Sequence, residues 1–175
     1  MFRTTSIIGF VATLLGVAIC YAALPGNRQW RIKKSEPWNA IRRLIYPLAL
    51  LCFLAMVITS FYPLLVLKES IHGYWLILHA VFAPVFAICL VCLVVMWAGN
   101  CSFNKNDWPP LQKICFWLIV ILAIPVILSI VLSMFSFFGT KGQEFLLQLH
   151  RYSALLLALI VIVHTYLIIC TKMGK

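Results

Sequence analysis

The sequence predicts an all-α integral membrane protein of five spans, a four-helix bundle with one extra N-terminal transmembrane helix. Three observations carry that prediction. The chain is 64% hydrophobic and 10% charged over 175 residues, and its mean hydropathy of +1.05 is beyond what a soluble domain of that length can hide from water. Uncharged runs extend over residues 4–27, 44–67, 70–104, 114–140 and 152–171, each reaching the roughly 20 residues that a ~30 Å hydrocarbon core demands. The longest polar segment runs from Pro25 to Arg43, which leaves nothing for a soluble catalytic domain.

The first helix is expected over about residues 5–24. Arg3 ahead of an apolar stretch that closes on Ala22 and Ala23 is also how a signal peptide looks. The segment is read as a retained anchor, and Cys20 as no lipoprotein site, because Ile19 stands where a small residue is wanted. The second helix is expected over 44–67 and the third over 73–98, where Pro84 removes the bond that the Ala80 carbonyl would accept. The fourth covers 113–138, with Pro125 doing likewise to Ile121, and the fifth covers 145–171. Spanning helices tolerate the kinks these prolines imply. Short connections make sequential helices antiparallel neighbours. Trp75, Trp97, Trp108 and Trp117 fall near predicted interfaces, where amphipathic rings anchor a helix. Residues 1–30 thus hold the N-terminal helix and the start of a basic loop, and 31–175 the four-helix bundle.

A formal charge of +10 would suit an anionic partner, but its distribution points to topology instead. Arg28, Arg31, Lys33, Lys34, Arg42, Arg43, Lys105, Lys113, Lys172 and Lys175 fall on one side of a five-span arrangement. Arg3, Lys68, Lys141 and Arg151 fall on the other. The positive-inside rule places the ten in the cytoplasm, the N-terminus outside and the C-terminus inside. Attraction to anionic membrane lipid accounts for the basic loop, and no nucleic-acid partner is expected. The seven cysteines lie in spans (Cys52, Cys89, Cys92, Cys115) or near cytoplasmic ends (Cys20, Cys101, Cys170), so no disulfide framework is implied. This also speaks against a thiol oxidase, which needs cysteines exposed outside. The CLVC of the third span has no histidine after it, so it is not a covalent haem attachment site.

Histidines are costly inside a bilayer and call for a reason. His150 and His164 are fourteen residues apart in LHRYSALLLALIVIVHTYL, which at ~100° and ~1.5 Å per residue returns to nearly one helix face after ~21 Å. His79 stands six residues into the third helix and His150 five into the fifth, ~8 to 9 Å below the same membrane surface at ~1.5 Å per residue. Two imidazoles at one level on parallel helices are what bis-histidine ligation of a haem b plane requires. Ala83 and Ala87 follow His79 at four and eight residues, and Ala154 and Ala158 follow His150 likewise. Small side chains there leave room for a porphyrin, although alanines also serve helix packing. Arg151 and Lys141 at the outer end are candidates for the haem propionates or for snorkelling to the surface. His164 calls for a partner on the second helix, whose coordinating side chains are Tyr46, Cys52 and Met56. A second haem, a quinone or a structural hydrogen bond all remain open for it. His72 lies at the outer surface, a solvated histidine or a contact to a propionate, a proton or a partner.

WNAIRRLIYPLALLCFLAMVITSF, GYWLILH and LHRYSALLLALIVIVH together resemble the four-helix membrane cytochrome b family, similar to bacterial cytochrome b561, the formate dehydrogenase gamma subunit and the cytochrome b of nickel-iron hydrogenases. The resemblance covers about residues 38–171, and the fourteen-residue histidine spacing is its most specific part. It implies an outer haem on His79 and His150. It also implies an inner haem on His164 and the position held by Tyr46, where the family has a histidine. The extra N-terminal helix is a second departure. Family members carry electrons between the quinone pool and a partner oxidoreductase, usually on the periplasmic side.

The expectation is therefore an electron-transfer subunit of the cell inner membrane rather than a complete enzyme. It would join menaquinone or ubiquinone to an iron-sulfur or c-type cytochrome partner through one haem b, with a second haem possible. Six-coordinate iron leaves no position for oxygen or substrate. Two other classes compete. One is a haem-free membrane anchor or quinone-binding subunit of an oxidoreductase complex. The other is a proton-relay transporter, which suffers because Glu36, Glu69, Asp107 and Glu144 all lie at helix ends or in loops.

Overall fold

The computed structural model describes residues 2–23, 39–98 and 109–172. Among them are five helices long and apolar enough to cross a membrane: α1 (Phe2–Ala23), α2 (Asn39–Tyr62), α3 (Gly73–Trp97), α4 (Pro110–Ser133) and α5 (Gly139–Lys172). The protein is an all-α, multi-pass membrane protein. Lipid offers nothing to an unpaired amide, so an apolar run of this length has to satisfy its own backbone as a helix. Large apolar side chains cover the outer surfaces, as with Leu14, Leu51, Val91 and Ile121, each more than half exposed. In water that exposure would be unfavourable, whereas against acyl chains it costs nothing.

The helices form two compact units. In one, α2 and α3 make an antiparallel hairpin. Aromatic pairs run down its length: Tyr62 with Trp75, Phe53 with Phe86, and Tyr46 with Trp97, at ring-centroid separations of 5.3, 5.4 and 6.3 Å. Buried Ala49, Cys52, Phe86 and Cys89 fill the seam. The α2 end widens into a π-helical turn, Pro63–Leu67, which closes on Lys68 in the left-handed conformation (φ 61°). The Pro63 carbonyl there accepts the backbone N–H of both Lys68 and Glu69. Pro47 lies inside α2, as Pro84 and Pro125 lie inside α3 and α4.

In the other unit, α4 and α5 form an antiparallel hairpin and α1 packs along α5. The Phe2 ring meets Tyr152 edge-on at 5.2 Å, and a Cβ on Gly9 would stand 3.2 Å from a Leu159 methyl. Both contacts advance seven residues on each helix, so α1 and α5 run parallel. Gly9 allows that approach because it has no side chain. The core holds Ala123, Val126, Leu155, Leu157 and Ala158. Gln112, 3% exposed, donates from Nε2 to the Leu167 carbonyl at 2.9 Å, tying the start of α4 to the end of α5.

The start of α2, at Asn39 rather than 44, differs from expectation, as do two boundaries of the α4–α5 hairpin. α4 stops at Ser133 rather than near residue 138, and α5 begins at Gly139 rather than near 145. A 3-10 turn, Ser136–Phe138, and Gly139 at φ 60° make the reversal between them. Hydropathy marks where lipid begins, whereas Thr140, Lys141, Gln143 and Glu144 carry the helix on past the apolar run. α5 is 34 residues long, or ~51 Å at ~1.5 Å per residue, against a ~30 Å hydrocarbon core. Most of the basic positions behind the topology assignment, Arg28, Arg31, Lys33, Lys34, Lys105 and Lys175, lie outside the described residues, as do Glu36, Cys101, Asp107 and Trp108. The side chains of Cys20, Arg42, Arg43 and Lys172 lie outside them too.

Candidate functional site

His150 is half-buried on α5, where its Nδ1 lies 2.9 Å from the Val126 carbonyl of α4. A carbonyl oxygen can only accept, so the proton sits on Nδ1. The neutral ring then carries its lone pair on Nε2. The same carbonyl takes the Ser129 hydroxyl at 3.1 Å, and Ser129 is 1% exposed. Ser153, one turn after His150, donates to the Leu149 and His150 carbonyls. A bond from the second ring nitrogen to a backbone carbonyl is the support that metal-ligating histidines commonly have.

His79, half-buried on α3, is engaged in the same way from its own hairpin. Its Nδ1 lies 3.2 Å from Thr59 Oγ1 and 3.0 Å from Ser60 Oγ, both on α2. These hydroxyls were not among the residues expected at the site. A signal for them exists in the sequence, since in a hairpin that turns at Lys68–Ser70 residues equidistant from residue 69 face each other, and 59 and 79 are such a pair. Nothing in the sequence marks the Val126 carbonyl, because every residue has one.

Of the flanking alanines, Ala83, Ala87 and Ala154 are half-buried, while Ala158 is 1% exposed and belongs to the packing of its unit. Arg151 is exposed in the first half of α5 and, with Thr140, Gln143, Glu144, Leu147 and Gln148, lines a shallow groove of about 380 Å³. Lys141 is exposed on the same stretch. The count that set His79 and His150 at equal depth starts from the apolar run near residue 145, whereas α5 itself starts at Gly139. His150 is its twelfth residue, while His79 is the seventh of α3. α5 begins in polar sequence, so distance from its first residue no longer measures depth in the membrane.

His164 is buried at 8% exposure, and its Nδ1 finds no hydrogen-bond partner among the described residues. A buried polar atom left unmatched is unfavourable by about 1–3 kcal/mol, and the site favours a further group that can bond to it. Tyr46, at the position where the resembled family has a histidine, rests its ring against Trp97. Cys52 is 2% exposed. His72 stands exposed at the N-cap position of α3 and its side chain turns away from the helix, with Nδ1 donating to the Ser70 carbonyl at 2.7 Å and Nε2 3.6 Å from the Glu69 carboxylate. Cys52, Cys89, Cys92, Cys115 and Cys170 are free thiols.

Fold and site define a multi-pass helical membrane protein in which two histidines of the spanning helices, His79 and His150, bond to the neighbouring helix of their own hairpin. No protein-family model, curated protein or solved structure matches the chain.

Proposed function

We propose that the protein is a membrane cytochrome b subunit that binds haem b through His79 and His150. It sits in the cell inner membrane with its N-terminus outside, and passes electrons between the quinone pool and a periplasmic-side iron-sulfur or c-type cytochrome partner. The observation that carries this is the bond from His150 Nδ1 to the Val126 carbonyl. It commits the proton to the nitrogen facing α4 and leaves Nε2 as the electron-pair donor that axial ligation needs. His79 is held from α2 through its own Nδ1. Haem b supplies one-electron carriage, and the protein's part is to hold, orient and tune it. Half-buried Ala83 and Ala154 lie one turn after the two histidines, and exposed Arg151 and Lys141 are the cations that would pair with propionates.

A second site on His164 is favoured by its buried, unmatched Nδ1. A second haem or a quinone carbonyl would satisfy the ring. The test is haem b per polypeptide on the purified chain, by pyridine haemochrome absorbance against quantitative amino-acid analysis. A ratio near one is expected from the His79 and His150 site. A ratio near two brings His164 in as a ligand, and a ratio near zero overturns the proposal in favour of a haem-free anchor or quinone-binding subunit.

A further inference from the structure

Thr59 is 4% exposed and makes three close contacts through one hydroxyl. Its Oγ1 donates to the Ala55 carbonyl at 2.8 Å and shares that proton with the Met56 carbonyl at 3.0 Å. A hydroxyl has one proton. What Thr59 presents to its third neighbour, His79 Nδ1 at 3.2 Å, is therefore a lone pair. A bare Nδ1 would set lone pair against lone pair, in surroundings where poor screening makes the mismatch more unfavourable than in water. A protonated Nδ1 turns the same contact into a hydrogen bond.

Ser60 alone would not decide the matter. Its hydroxyl, 3.0 Å from the same nitrogen, has its proton uncommitted and can accept from Nδ1–H or rotate and donate to a bare Nδ1. Thr59 breaks that tie, because its back-bond to α2 fixes both its rotamer and its proton. We infer that Thr59 is a positioning residue that holds His79 protonated at Nδ1, with Ser60 sharing the proton, so that the ring's lone pair is kept on Nε2. The purpose of this device rests on haem ligation by His79. The tautomer itself does not.

The test uses the full chain, labelled with ¹⁵N at histidine and reconstituted in lipid bilayers, before and after addition of haem b. Four histidines are few enough to assign by substituting one at a time. Before haem, His79 is expected to show a pyrrole-type Nδ1 and a pyridine-type Nε2. In Thr59→Val with Ser60→Ala the proton shifts to Nε2, and Thr59→Ser, which keeps the hydroxyl, restores the wild-type pattern. After haem, the double variant binds about 10- to 100-fold more weakly, the usual consequence of losing a ligand's supporting bond, and Thr59→Ser binds near the wild-type level. A wild-type His79 protonated at Nε2, or a tautomer unmoved in the double variant, overturns the inference. An altered tautomer with unchanged haem affinity refutes the positioning role. A wild-type chain that takes up no haem refutes ligation while leaving the tautomer result to stand by itself.

Discussion

Replacing His150 by alanine separates ligation from folding, because the structure bounds what the side chain contributes to the helix hairpin. One hydrogen bond it makes across the hairpin is the 2.9 Å contact to the Val126 carbonyl, and a bond of that kind between membrane helices contributes about 0.6–2 kcal/mol. The carbonyl is not stranded by the change, since the Ser129 hydroxyl remains 3.1 Å away. The helices should therefore stay assembled, with circular dichroism and elution in detergent unchanged. Haem retention should fall by more than the about 10- to 100-fold that follows loss of a supporting group, because the iron ligand itself is gone. Haem b per polypeptide and the low-spin absorption bands report this directly. Added imidazole, which fits the space the side chain leaves, should restore part of the bound haem. An intact haem ratio and unchanged bands in His150→Ala would refute axial ligation by this residue.

Further outcomes follow from the packing. His79→Ala should lose haem as His150→Ala does, seen in the same absorbance ratio. His164→Leu should leave the stability of the haem-free chain unchanged or raise it, by up to about 1–3 kcal/mol, because an unmatched buried nitrogen is replaced by apolar volume; detergent unfolding monitored by circular dichroism would contradict this by showing a clear loss. Gln112→Leu should destabilise by about 0.6–2 kcal/mol through loss of the bond to the Leu167 carbonyl, measured by the same unfolding. Ala158→Leu adds bulk at a position 1% exposed and should destabilise by about 1–3 kcal/mol, again visible as a lower unfolding midpoint.

Much of the architecture was legible because the bilayer leaves few choices. An apolar run of twenty or more residues has to be a helix, so the five spans and the two short-loop hairpins, α2 with α3 and α4 with α5, could be read directly. The boundary between α4 and α5 could not. Thr140 to Glu144 are polar, and hydropathy does not distinguish a solvated loop from a helix that has left the membrane. The histidines themselves were conspicuous, since an imidazole in an apolar run stands out. Their supports were not, because Thr59 and Ser60 look like ordinary small polar residues until the hairpin brings them to His79.

Composition and periodicity by themselves determined the class of protein, the number of spans and the places of the histidines along them, because each depends on side-chain chemistry counted along one chain. Only the tertiary structure decided which nitrogen of His150 holds its proton, that His164 Nδ1 finds no partner among the described residues, and that α1 packs along α5 through Gly9. Hydrogen-bond partners and close approaches are relations between helices, and the periodicity of one helix carries no information about the atoms its neighbour will present.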